Sequence, residues 1–283
     1  SDYCSLRAVD ERSDSVSVRQ DTAEPVRSSI DHGAMVTVID GDGVGYAATS
    51  DLSDAGLAAA ARRAADWAEA HACLGLFDAV LYPRSGARLD YRSPVAESWG
   101  SMTAADKLDL LQGACSALAV DDRIVDWSAW LGHWRIDQFL ATSDGGRIAH
   151  AWEYTEPGLT AVANEGSQTQ RRHGGGADWS QQGGLERIAA CGLREDASRV
   201  AEEVLALLAA PECPTEEMDL VLLPSQMVLQ IHESIGHPLE LDRILGDERN
   251  YAGTSFVTQD MFGTYRYGSD LLDVTFDPGV PGE

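Results

Sequence analysis

Period-two alternation near the start of the chain, echoed by a strand-turn-strand block about a hundred residues on, restricts this chain more than anything else in it. SVSVR at 15–19 and MVTVI at 35–39 place β-branched residues at every second position, the pattern of a strand with one buried face. The run DGDGVG follows Ile39 and leads into Tyr46. No GK[ST] comes after it and both flanks are strand-like, so it reads as a hairpin turn rather than a phosphate loop. The second block, 123–163, repeats the logic: WRIDQFLAT and RIAHAWEYT flank the turn SDGG at 143–146. Antiparallel pairing is the arrangement that satisfies both blocks.

Helical segments separate these blocks. Ser53 is placed to cap LAAAARRAADWAEA (57–70), and alanine has the best helix propensity. Thr103 with Asp106 forms a capping-box variant ahead of KLDLLQGACSALAV. Residues 185–209 read as one long helix or two, stopped by Pro211 and Pro214. The fold class is therefore α/β in the α+β sense, with antiparallel sheets. Residues 82–100 read as a loop, and 170–184 (QRRHGGGADWSQQGG), with His173, as a solvated connector in preference to a flexible substrate loop. MDLVLL at 218–223 reads as a short buried strand, and Pro224–Ser225 as the start of another helix. Trp127, Trp130 and Trp134 are expected to pack within strands rather than form a ligand platform.

Charge excludes several functions. Twenty-one basic against 46 acidic residues leave −25, which argues against nucleic acid and against an anionic membrane surface as partners. No apolar run approaches the roughly 20 residues of a membrane helix. Cys4, Cys73, Cys115, Cys191 and Cys213 are odd in number, widely spaced and without a CxxC pair. A disulfide framework or zinc ribbon is thereby disfavoured, and reduced thiols in a cytosolic protein are expected. The chain opens on Ser1 and closes on loop-like residues 278–283, which reads as part of a longer protein.

One constellation carries chemistry: His232-Glu233-Ser234-Ile235-Gly236-His237, followed by Pro238. Two histidines four apart lie about 40° apart around a helix; five apart they lie about 140° apart. A regular helix cannot turn both imidazoles onto one ion. An extra residue in the turn, a π-bulge, would do so. Gly236 permits unusual dihedrals, and Pro238 should push His237 out of the α region. Imidazoles of this kind suit Zn²⁺, which makes His232 and His237 the candidate ligands. Glu233, beside the first, is the candidate general base toward an activated water. Glu240 and Asp242 could orient a ligand histidine, or simply face solvent.

HESIGHPLELDRILGDERNYAGTSF resembles the metal-binding segment of the TldD/PmbA family of metallopeptidases. SVSVRQDTAEPVRSS and GYAATSDLSDAGL are similar to that family's N-terminal module, and LLDVTFDPGVPGE to the start of its second half. The resemblance implies an α/β region over 1–215, with subregions of about 1–100 and 101–215. Residues 216–283 would then hold the metal-motif helix and the start of a largely β C-terminal domain. It implies zinc held by His232, His237 and a downstream cysteine beyond Glu283, with Glu233 as base. It also implies short or unfolded peptides as substrates, cytoplasmic location, and a homodimer or heterodimer with a paralogue. None of the five cysteines matches the family's ligand, so residues 1–283 alone are expected to bind metal weakly or not at all and to be inactive. The alternative is a non-catalytic partner or regulator in such a hetero-oligomer. Hydrolysis of amides other than peptides would use the same activated water. Residues 253–257 (GTSFV) are a candidate edge strand for a peptide, or a structural hairpin strand.

Overall fold

The computed structural model describes residues 1–75 and 86–280. Its frame is a nine-stranded sheet. The strands are β1 (Tyr3–Arg19), β2 (Thr22–Ala23), β3 (Arg27–Asp40), β4 (Gly43–Thr49), β5 (Arg88–Arg92), β6 (Ile124–Thr142), β7 (Arg147–Glu165), β8 (Gln168–Gly175) and β9 (Gln181–Gln182). The main path runs β4-β3-β1-β6-β7-β5, with β2 on β1 and both β8 and β9 on β7. All pairings are antiparallel except β5 with β7, so both expected hairpin systems are present. β1 joins them, pairing Ser5 with Thr142 and Arg19 with Ser128.

Helices cover one face. α1 (Asp54–Ala70) starts at Ser53, whose hydroxyl accepts from the Gly56 N–H, and packs Ala60, Ala64 and Ala68 on Val36 and Val38. α2 (Ala104–Leu118) starts with the Thr103–Asp106 capping box. The expected long helix is two, α3 (Leu185–Ala190) and α4 (Leu193–Ala209), divided at Gly192 with φ 64°. α2 and α4 bury Leu111, Leu118, Val200 and Val204 against Leu131 and Leu159 of the sheet. The chain's one lysine, Lys107, is buried in α2. Its ammonium donates to the carbonyls of Trp99 and Met102 at 2.8 Å each and sits over the Trp99 ring. Burial lowers its pKa.

Several local expectations are corrected. Of the loop expected over 82–100, residues 82–85 lie outside the described part; the remainder contains β5. Residues 170–184 are no connector: β8 pairs with β7 from Gly158–Gly175 to Glu165–Gln168. Its polar, glycine-rich composition reflects an edge strand pressed on α4. A Cβ at Gly174 would stand 2.2 Å from Asp196 Oδ2 and 3.0 Å from Val200 Cγ2. Residues 218–223 form no strand. Leu220, Val221 and Leu223 are exposed, because no described strand lies alongside to complete a ladder. Among the described residues, the stretch after Ala209 is helical or irregular throughout. The three tryptophans do not share a face. Trp127 packs on the helix-covered core. Trp134 stacks on Tyr154 of the other face, and Trp130 lies over Gly158.

Candidate metal centre

The motif sits where a short helix widens. α5 (Pro224–Ile231) begins with proline at its first turn, where the missing N–H costs nothing. At His232–Gly236 the backbone adopts a π turn, and the His237 N–H donates to the His232 carbonyl five residues back. The deformation that the five-residue spacing requires is thus present. The two imidazoles meet edge to face, with ring centroids 4.2 Å and planes 71° apart. One donor atom from each of His232, Glu233 and His237 lies within 4.8 Å of the others. Two nitrogens on one tetrahedral zinc at about 2.0–2.1 Å stand about 3.3 Å apart, so the pair fits such an ion with a small side-chain adjustment.

Pro238 does not act as expected. His237 stays helical at φ −59°, ψ −42°, and a 3-10 turn continues over His237–Leu239. The widened turn accommodates the ring. The carbonyl that an ordinary residue 238 would have satisfied is that of Ser234, four positions back. It instead accepts from the Tyr267 hydroxyl at 2.8 Å. Ser255 hydroxyl donates to the Pro238 carbonyl at 2.7 Å. Residues 253–257 therefore form neither an edge strand nor a hairpin; they are irregular backbone tied to the motif. Behind the turn, Ile235, Pro238, Phe256, Tyr265 and Leu272 line an apolar cavity of about 290 Å³.

A carboxylate sets the tautomer of His237. Glu240 Oε1 lies 2.7 Å from His237 Nδ1. An ionised carboxylate only accepts, so Nδ1 carries the proton and Nε2 offers its lone pair. That Nε2 is 3.9 Å from Glu233 Oε2. Arg243 pairs with the other oxygen of Glu240, Nε to Oε2 at 2.7 Å. The hydrogen bond from His237, joined by the charge of Arg243, holds the Glu240 carboxyl below the usual range. Asp242 instead accepts the Arg243 N–H at 2.9 Å. Of the two acidic candidates, only Glu240 contacts a motif histidine. Sequence reasoning missed Arg243, Ser255 and Tyr267. Pro238 signals that some carbonyl needs another donor, but nothing in the sequence says which residue supplies it.

Residues 4–68 match the PmbA/TldA metallopeptidase domain 1, and residues 97–208 match the PmbA/TldA metallopeptidase central domain. The chain belongs to the TldD/PmbA family of metallopeptidases. A metalloprotease from Methanothermobacter thermautotrophicus is 27% identical over 284 residues, covering 95% of this chain. This chain spans only 60% of that relative's length. Two crystal structures, each described as a modulator of DNA gyrase, share the fold. The Thermotoga maritima protein aligns with TM-score 0.58 at 14% identity, over 75% of this chain and 46% of its own. The Bacteroides thetaiotaomicron protein aligns with TM-score 0.52 at 14% identity, over 72% and 45%. The motif 232–237 follows both matched family domains in sequence. No described helix in this family member is long and apolar enough to cross a membrane.

Proposed function

We propose that this chain contributes the metal-motif helix of a zinc-dependent TldD/PmbA-type peptidase acting on short or unfolded peptides. The observation that carries the reading is the π turn that brings the His232 and His237 imidazoles together on one side, with Glu233 beside them. His232 and His237 hold the ion through nitrogen. Zinc, when bound, polarises the scissile carbonyl and lowers the pKa of water to about 7. The Glu233 carboxylate receives the proton of the attacking water and delivers it to the departing amine nitrogen. Glu240 keeps the His237 proton on Nδ1, so Nε2 stays available.

The remaining parts of the reading follow the family. Residues 216–283 begin the peptidase domain after the α/β region of 1–215. The assembly is a homodimer or a heterodimer with a paralogue, in the cytoplasm. A third ligand is not assigned: among the described residues, no cysteine joins the His232–Glu233–His237 group. The test is peptide hydrolysis by the longer protein that contains this chain, with Glu233→Ala as the variant. A general base contributes about 10²–10⁴-fold, so turnover should fall by at least a hundredfold while metal content is kept. Unchanged turnover removes Glu233 from this role.

A further inference from the structure

We propose that the cavity between β8 and the start of α5 is a subsite for a carboxylate of an extended peptide, an inference that rests on the peptidase reading above. The cavity is open to solvent and holds about 770 Å³, and its lining includes Trp130, Arg171, Arg172, His173, Ser225 and Gln226. Alternation along β8 sorts its basic side chains. Arg172 turns to α4, where Glu203 neutralises it at 2.5 Å. Arg171 and His173 fall on the other face, and neither side chain has a hydrogen bond or ion pair among the described residues. In a chain of net charge −25, this is a local concentration of uncompensated positive character.

Position gives the cavity its meaning. Ser225 and Gln226 stand seven residues before His232 and Glu233, so they share their face of the helix. The separation along the axis is about 10 Å. An extended peptide covers that in about three residues. A carboxylate held by Arg171 would thus set which peptide bond reaches the histidine pair. Arginine suits the task because its planar fork matches a carboxylate with two parallel hydrogen bonds. Trp130, laid flat over Gly158, provides a rigid wall for the chain approaching it.

The test is binding, with no metal and no turnover. Three fluorescein-labelled hexapeptides that share their first five residues are titrated into residues 1–283 by fluorescence anisotropy: one ending in glutamine with a free C-terminus, one ending in glutamine and amidated, and one ending in glutamate and amidated. A charge-assisted pair leads us to expect about tenfold tighter binding for a carboxylate-bearing peptide than for the plain amide. The first arm reports a terminal carboxylate and the third a side-chain carboxylate. R171Q should erase the preference, bringing the carboxylate-bearing peptides to the affinity of the plain amide, and H173Q should reduce it. Equal affinity across the three peptides overturns the proposal, as does a preference that survives R171Q. Because neither zinc nor Glu233 takes part, failure here and failure of the Glu233→Ala hydrolysis test are told apart.

Discussion

Glu240→Ala tests how the second histidine is set. The hydrogen bond from His237 Nδ1 to Glu240 is 2.7 Å long and charge-assisted. The Glu240 side chain is 38% exposed, so solvent screening weakens the bond. Losing a group that orients a ligand histidine typically weakens metal binding 10–100-fold, and the screening places this loss at the lower end, about tenfold. Two readouts apply. Zinc titration followed by the imidazole proton shifts should give the tenfold change. Long-range ¹⁵N correlation in metal-free protein should show His237 leaving the single Nδ1–H tautomer. Glu240→Gln, which retains an acceptor, should fall between, and Asp242→Ala should change neither. An affinity within twofold of the unaltered chain, with the tautomer unmoved, would refute the reasoning.

Four further outcomes are expected. Residues 1–283 alone should lose zinc on dialysis, checked by elemental analysis; tight stoichiometric zinc would contradict a two-histidine site. Gly45→Ala should destabilise by about 1–3 kcal/mol or more, read as a lower urea midpoint at unchanged slope. The added Cβ would stand 2.1 Å from the Ala64 carbonyl oxygen and 2.3 Å from the Ala68 nitrogen, both backbone. A thiol reagent should label the exposed Cys73 and Cys213 in native protein but not Cys115, which is buried with its thiol pKa raised by desolvation; peptide mapping reads this out. Hydrogen bonding from Arg123 lowers the Asp121 carboxyl to about 2 from 3.8. A carboxyl held low stabilises the fold above its unfolded value. That contribution should be complete above pH 3.8 and fade as pH falls through about 2, and Asp121→Asn should flatten this part of the acid-stability profile.

Much of the frame was readable because its signals are local. Alternation marked β1 and β3, the turn at 143–146 marked β6 and β7, and Ser53 and Thr103 marked two helix starts through hydroxyls that reach only three residues. The π turn was readable too, because five residues between two histidines leave one simple way to share an ion. The failures concern partners distant in sequence. β8 looked like a connector because an edge strand need not alternate and because Gly174 answers to α4 rather than to a turn. MDLVLL looked like a buried strand because its composition says nothing about whether a neighbour exists to cover it. Pro238 was misjudged because Tyr267, twenty-nine positions on, makes good the donor that proline lacks.

The placement of β1 carries a consequence for biosynthesis. It is emitted before both of its neighbours, β3 and β6, yet lies between them, with Ser5 waiting for Thr142. Translation at roughly 5–20 residues per second leaves one flank of that ribbon bare for several seconds or more, and contacts so remote in sequence form slowly. A ribosome-tethered series of growing length should therefore gain protease resistance abruptly, once the segment through Thr142 has cleared the exit tunnel.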